Sequence, residues 1–222
     1  MRLLARRAST PSGAAAFDTT RGSRDVGGPW LGQRMIVCLM GPSASGKSTL
    51  AKFLEEQQPE RFARVPVDYF FVPRADHQTP AEYFSSPIAY DWPAVDRALH
   101  AGIGERRSTP DCDFERFVWR SEVGGLPISQ APVYLLDGMR PHPRCDFLVM
   151  FDLDGREQHR RLVERDARWG TTVADRNANL SATFDAGCAE MSKPPDLHLV
   201  ATDNIEQNAV RVSDALTSCK GI

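Results

Sequence analysis

Eight residues, GPSASGKS from Gly41 to Ser48, carry a recognisable chemistry. They fit G-x-x-x-x-G-K-[ST], a spacing in which backbone N–H groups wrap a phosphate chain, the lysine reaches the terminal phosphates and the hydroxyl holds Mg²⁺. On this reading Gly41, Ser43, Ala44, Ser45, Gly46, Lys47, Ser48 and Thr49 bind the phosphates of a nucleotide. Glycine is required where the backbone must adopt conformations closed to other residues and approach the ligand closely. An ordinary glycine-rich turn is the competing reading, but it requires neither the lysine nor the hydroxyl that follows it.

Such a loop must be held by a strand before it and a helix after it. MIVCLM, Met35 to Met40, reads as a buried strand, and Leu50, Ala51, Phe53 and Leu54 give the next segment one apolar face until Pro59 stops it. The start of that helix turns its positive end toward the anion. Further strands are expected at ARVPV, PVYLL, FLVMF and LHLVA, separated by amphipathic stretches, which is the pattern of a parallel sheet covered by helices. Asp68, Asp137 and Asp152 follow three of these runs. Ligands of open α/β sheets bind beyond the carboxyl ends of the strands, so Asp68 and Asp137 can both face the phosphates. Pro66 cannot donate to a ladder, so its strand is expected to be short or to lie toward an edge.

Composition limits the rest. The 222 residues are 41% hydrophobic, enough for one sizeable core, and no apolar run approaches the roughly 18 residues of a membrane span. Cys38, Cys112, Cys145, Cys188 and Cys219 are odd in number and contain no CxxC pair, which argues against a disulfide framework or a zinc site and favours a reducing cytoplasm. His77, His142 and His159 have no metal-ligand spacing. The formal net charge of −2 gives no sign of nucleic acid as a partner. Residues 1–34 carry six Arg against two Asp, a net of +4, which leaves −6 for the remainder. This Arg-, Ser- and Gly-rich segment has no core pattern and is expected to be a disordered leader. Its start has the character of an organelle transit peptide, and a solvated tail is the plainer alternative.

GPSASGKST, VDYFF, YDWP, PDCDF, LLDG and RLVERD occur in an order that resembles the uridine kinase branch of P-loop kinases, which includes phosphoribulokinase, nicotinamide riboside kinase and pantothenate kinase. The resemblance runs from Met35 to about Val200. It implies a P-loop domain over residues 35–222: an α/β three-layer sandwich with a five-stranded parallel sheet and a helical lid. It also implies ATP and Mg²⁺ as cofactors and a small-molecule hydroxyl as phosphoryl acceptor, with a homo-oligomer left open.

Roles follow from that resemblance and from the chemistry of phosphoryl transfer, in which a protein mostly positions two oxygens and neutralises charge. Lys47 offsets developing charge. Asp68 either takes the proton of the attacking hydroxyl or holds Mg²⁺. Asp137 stands where the family usually has Glu, as a metal-associated acid or as a cap for its own turn. Arg161, Arg165 and Arg168 share one helix face that closes over ATP in the family, or else form a solvated row with Glu164 and Asp166. The family's second lid arginine is Leu162 here, and its usual RG is Trp169–Gly170. Asp154 and Glu157 stand at capping-box spacing.

For the acceptor, Asp68, Tyr69, Phe70, Asp113 and Arg120 are the candidates, with Arg116 beside them; the aromatic residues equally fit a core. Nucleoside kinases carry a tyrosine and a histidine where this chain has Cys112 and Phe117. Uridine or a related nucleoside is the first acceptor implied, pantothenate or a sugar the second. An ATP-hydrolysing switch module and an inactive nucleotide-binding homologue are the rivals from other classes. Switch proteins lack both the insert between Asp111 and Arg120 and the arginine row.

Overall fold

A computed structural model of the chain describes residues 34–83, 85–100, 107–114, 116–167 and 173–220. All of the expected leader except Arg34 lies outside them, as do Arg168, Trp169 and Gly170. Arg34 itself packs on the domain: its guanidinium donates to the Leu99 carbonyl at 2.8 Å and lies over the Tyr134 ring.

The elements run β1 (Met35–Met40), α1 (Lys47–Gln57), β2 (Phe62–Pro66), a 3₁₀ turn (Val67–Phe70), α2 (Pro80–Tyr83), α3 (Trp92–His100), β3 (Asp111–Asp113), β4 (Val118–Ser121), β5 (Val133–Asp137), β6 (Phe147–Asp152), α4 (Gly155–Ala167), α5 (Val173–Ala189), β7 (Leu197–Val200) and α6 (Ile205–Lys220). Five strands form a parallel sheet in the order β2-β5-β1-β6-β7, and β3 and β4 form a separate antiparallel hairpin. The expected α/β sandwich with a five-stranded parallel sheet is the observed fold.

β1 is apolar throughout because both faces of the sheet are covered. Ile36, Cys38 and Met40 join one core with Ala94, Val95, Ala98 and Leu99 of α3, and Phe184 and Cys188 of α5 pack against it. Met35, Val37 and Leu39 join the other with Leu50, Ala51 and Leu54 of α1 and Ala209, Val212 and Leu216 of α6. Each fully buried leucine contributes about 1.5–3 kcal/mol of transfer free energy, so the two cores anchor the central strand from both sides. That strand ends at the phosphate loop, between β5 and β6. No helix among the described residues is long and apolar enough to cross a membrane.

β2 is five residues long and lies at the sheet edge, as Pro66 required. Two of its amides find partners outside the ladder: the N–H of Phe62 donates to the Gln58 carbonyl at 2.9 Å, and that of Arg64 to Glu55 Oε1 at 3.1 Å. The run continues past Pro66 as a 3₁₀ turn rather than as strand, so Asp68 stands two residues beyond the sheet.

Candidate active site

The loop between β1 and α1 is built by its glycines for two different reasons. Gly41 leaves no room for a side chain: an added Cβ would meet the Phe151 Cβ at 2.7 Å. Gly46 has open space but a left-handed φ of 94°, which most side chains disfavour. Ala44, at φ 66°, takes the same handedness without being glycine. Successive turns of this kind aim backbone N–H groups into one concavity and make an anion cradle. α1 begins at Lys47, immediately after Gly46, and adds its positive end.

Lys47 is 7% exposed and folds back onto the loop. Its ammonium donates to the carbonyls of Gly41 and Pro42, both at 2.9 Å, and to Ser45 Oγ at 3.2 Å. Burial lowers its pKa to about 8 against the opposing pull of Asp68 and Asp137, while Arg165 adds to the lowering. The cation therefore lies within electrostatic reach of the acid that ends β5, the acid of the 3₁₀ turn and one arginine of α4. Ser48 and Thr49, in the first turn of α1, are exposed.

The two acids differ in environment. Asp137 ends β5 at 3% exposure, and its Oδ2 accepts from Arg64 of β2, Nε at 3.3 Å and Nη2 at 3.2 Å. Its Oδ1 is buried with no hydrogen-bond partner. Burial pushes the carboxyl up to about 6, with the Arg64 guanidinium and a hydrogen bond from the Ser48 hydroxyl acting in the other direction. Asp68 is exposed on the 3₁₀ turn, and its Oδ1 accepts the Tyr90 hydroxyl at 2.8 Å.

The Asp137 shift has a direct consequence for the empty protein. A carboxyl whose folded pKa exceeds its unfolded value binds more protons in the folded state, so stability falls as pH rises from about 4 to 6 and stays lowered above that. At about 1.4 kcal/mol per tenfold change in proton affinity, the ceiling is about 3 kcal/mol. Asp137→Asn keeps the acceptor for Arg64 and removes the charge. Thermal unfolding without nucleotide is expected to show a higher Tm for the variant at pH 8 and no difference near pH 4. Equal Tm values at pH 8 would contradict this.

α4 reaches the loop through three side chains. Gln158 Nε2 donates to the Ser43 carbonyl at 3.2 Å, Arg165 Nη1 to Ser43 Oγ at 3.0 Å, and Arg161 Nη1 to the Ala44 carbonyl at 3.2 Å. Arg161 also donates to Glu157 at 2.7 Å and to the Ala201 carbonyl at 3.1 Å, so it ties the loop to the end of β7. Leu162, on the same helix, is 2% exposed. Asp154 caps α4 through the N–H groups of Arg156 and Glu157, whereas the Glu157 carboxylate pairs with Arg160 and Arg161 instead of completing a capping box.

The acceptor candidates separate into two groups. Phe70 requires correction: at 1% exposure it belongs to the core beneath the turn and presents no surface to a ligand. Tyr69 is half-buried, its ring edge-on to Phe114 with centroids 4.9 Å apart, and its carbonyl accepts the Cys112 thiol. These contacts dock the β3–β4 hairpin on the turn that carries Asp68. Within the hairpin, Asp113 accepts the Arg116 N–H at 3.1 Å and Arg120 Nη2 at 3.4 Å, and Arg120 also lies 3.8 Å from Asp111. Asp113 and Arg120 thus pair with each other within the hairpin.

Arg64 and Tyr90 are site partners absent from the sequence expectations. A lone arginine inside an otherwise apolar strand is the available signal for the first. The second lies in the YDWP motif, between Ala89 and Asp91, but nothing in that motif tells that its hydroxyl meets Asp68. Among the described residues, no group of three or more His, Cys, Asp or Glu could hold a metal ion.

The profile of the chloramphenicol phosphotransferase-like family matches residues 34–105, which carry the phosphate loop, Asp68 and Tyr90. Among solved structures, a candidate fructose transport system kinase from Silicibacter sp. TM1040 is similar at 22% identity and a TM-score of 0.53, over 78% of this chain and 92% of that one. D-glycerate 3-kinase from Cryptococcus neoformans is similar at 14% identity and a TM-score of 0.49, over 78% and 87%. A protein described as a possible uridine kinase from Bacillus stearothermophilus is similar at 21% identity and a TM-score of 0.39, over 63% and 83%. At these identities the likeness concerns the fold alone, and it is the first of the three that supports it.

Proposed function

We propose, from its P-loop kinase fold, that this chain transfers the terminal phosphoryl group of ATP to a hydroxyl of a small molecule. The observation that carries the reading is a buried lysine and an α4 arginine on one phosphate loop, with the acid that ends β5 and the acid of the turn after β2 near enough to act on the lysine. A phosphate-binding loop alone would serve a switch protein equally well. A second, exposed acid beside a docked hairpin adds a place for an acceptor.

The residues fit Mg²⁺. Asp137 Oδ1 is buried and unpartnered, which is costly unless a ligand or a bound water completes it. Ser48 would hold the ion directly, and Asp137 would hold one of its waters, with Asp68 as the alternative acid. When bound, the ion neutralises charge on the phosphates. Lys47 leaves its loop carbonyls to meet the terminal phosphates and counters the charge that builds during transfer. Asp68 orients the acceptor hydroxyl and takes its proton. Arg165, already at Ser43, adds a second cation over the loop, and Arg161 keeps the loop closed against the β7 end.

The class of acceptor follows less directly. Tyr69, Asp113 and Arg120 suit a polar, hydroxyl-rich molecule, and uridine or a related nucleoside is the first proposal, with pantothenate or a sugar next. The test is ADP release with uridine, cytidine, nicotinamide riboside, pantothenate, fructose and glycerate as acceptors. Stimulation by one of them supports the kinase. Hydrolysis that no acceptor stimulates would sink that reading in favour of a switch.

A further inference from the structure

We infer that Tyr90 is a positioning residue for the transfer step, holding the Asp68 carboxylate by one oxygen so that the other is presented to the acceptor. The inference rests on the proposed role of Asp68 and adds to it a residue that the phosphate-loop pattern does not contain. Asp68 sits on a four-residue 3₁₀ turn and is exposed, so the turn alone leaves its side chain free to change rotamer. Tyr90 removes that freedom. Tyr90 is 7% exposed, its ring meets Trp92 at 5.4 Å between centroids, and its hydroxyl donates to Asp68 Oδ1 at 2.8 Å.

The backbone around Tyr90 is fixed to the same turn. Tyr90 bridges Phe71 in antiparallel fashion, the Val72 N–H donates to the Ala89 carbonyl at 2.8 Å, and the Asp91 N–H donates to the Phe70 carbonyl at 2.7 Å. Asp91 then caps α3 through the Ala94 N–H at 2.9 Å. The segment of the phenol is therefore tied to Phe70, Phe71 and Val72, directly after the acid. A hydrogen bond from a neutral donor to an ionised carboxylate is about twice as strong as one between neutral groups, and burial together with Asp68 keeps the phenol in its donor form. The other charged or titratable groups acting on Asp68 are Lys47, Asp137 and Tyr69, and Arg140 acts on Tyr90. Among the described residues, the hydrogen bond to the Asp68 carboxylate comes from the Tyr90 hydroxyl and from none of these groups, so the tyrosine is its anchor.

Holding a reacting group within a narrow range of orientations lowers the barrier without changing how tightly substrates bind. In Tyr90→Phe, which deletes only the hydroxyl, kcat is expected to fall about tenfold, with MgATP affinity and acceptor KM within about twofold of the wild type. In an Asp68→Asn background the same substitution is expected to cost less than about twofold, because a residue that acts through the carboxylate has nothing left to orient. The full chain is assayed with the most active acceptor among uridine, nicotinamide riboside, pantothenate and fructose.

An unchanged kcat in Tyr90→Phe, or an equal loss in both backgrounds, overturns the inference. Full transfer by Asp68→Asn alone, or no acceptor-stimulated turnover at all, overturns instead the reading on which it rests. Should Tyr90→Phe lower Tm enough to confuse the result, difluorotyrosine at position 90, assayed below the pKa of its more acidic phenol, keeps the ring and alters the donor strength. A kcat shifted at least threefold at unchanged Tm supports the inference, and an unshifted one overturns it.

Discussion

Lys47→Ala is expected to abolish acceptor-dependent ADP release while the protein remains folded. The developing charge on the transferred group loses its nearest fixed cation, a loss of several kcal/mol in the barrier, on the order of a thousandfold or more in rate. Survival of the fold is less obvious, because Lys47 donates to three loop acceptors and its removal leaves them without that donor. Two opposing effects decide the outcome. Losing those bonds destabilises the loop, but burial has already lowered the lysine pKa to about 8, so the empty protein carries the cost of a buried cation that alanine removes. The terms are of similar size, and Tm is expected to move by less than about 4 °C. Near-normal turnover at wild-type Tm would contradict the assignment of the loop.

The second large effect is expected at Asp68. Asp68→Asn keeps size and the acceptor for the Tyr90 hydroxyl but removes the base and its charge. Transfer should fall by roughly a hundredfold or more with MgATP affinity little changed. If Asp68 mainly holds Mg²⁺, the same substitution weakens MgATP binding and added Mg²⁺ restores part of the rate. The environment of Asp137 argues for the division proposed above: it carries the orphaned buried oxygen suited to a metal-bound water, whereas Asp68 is exposed next to the hairpin. Measuring both quantities in both variants separates the roles. Unchanged transfer in Asp68→Asn would move the acid role to Asp137 or Asp113.

What the sequence made legible was governed by local rules. The phosphate loop, its strand and its helix could be placed because glycine spacing, apolar runs and a proline stop act over a few residues. The same holds for the strands near Asp137 and Asp152, and for the marginal position of β2, since proline has one fewer donor wherever it sits. The turn from Val67 to Phe70 was not legible, because the apolar run passes through it without a break. Its consequence is that Phe70 goes into the core and Asp68 points out. Pairings between distant segments were equally hidden: Arg64 meets Asp137 across 73 residues, and Tyr90 meets Asp68 across 22. Only the register of β2 against β5 and the docking of the Tyr90 segment bring those groups together.

The margin of the sheet at β2 also bears on what the protein avoids. A parallel sheet with an open side is a template on which another extended chain can grow, and aggregation of α/β proteins often begins there. Along this strand the non-ladder amides of Phe62 and Arg64 are already occupied by Gln58 and Glu55, and the next residue in the alternation is Pro66, which has no N–H. An incoming strand would find no free donor at these three positions. The proline that keeps β2 short, and the glutamate that α1 lends to it, thus act as a seal against self-templating, so loss of the Glu55 carboxylate would surface as slow precipitation on storage before any loss of activity.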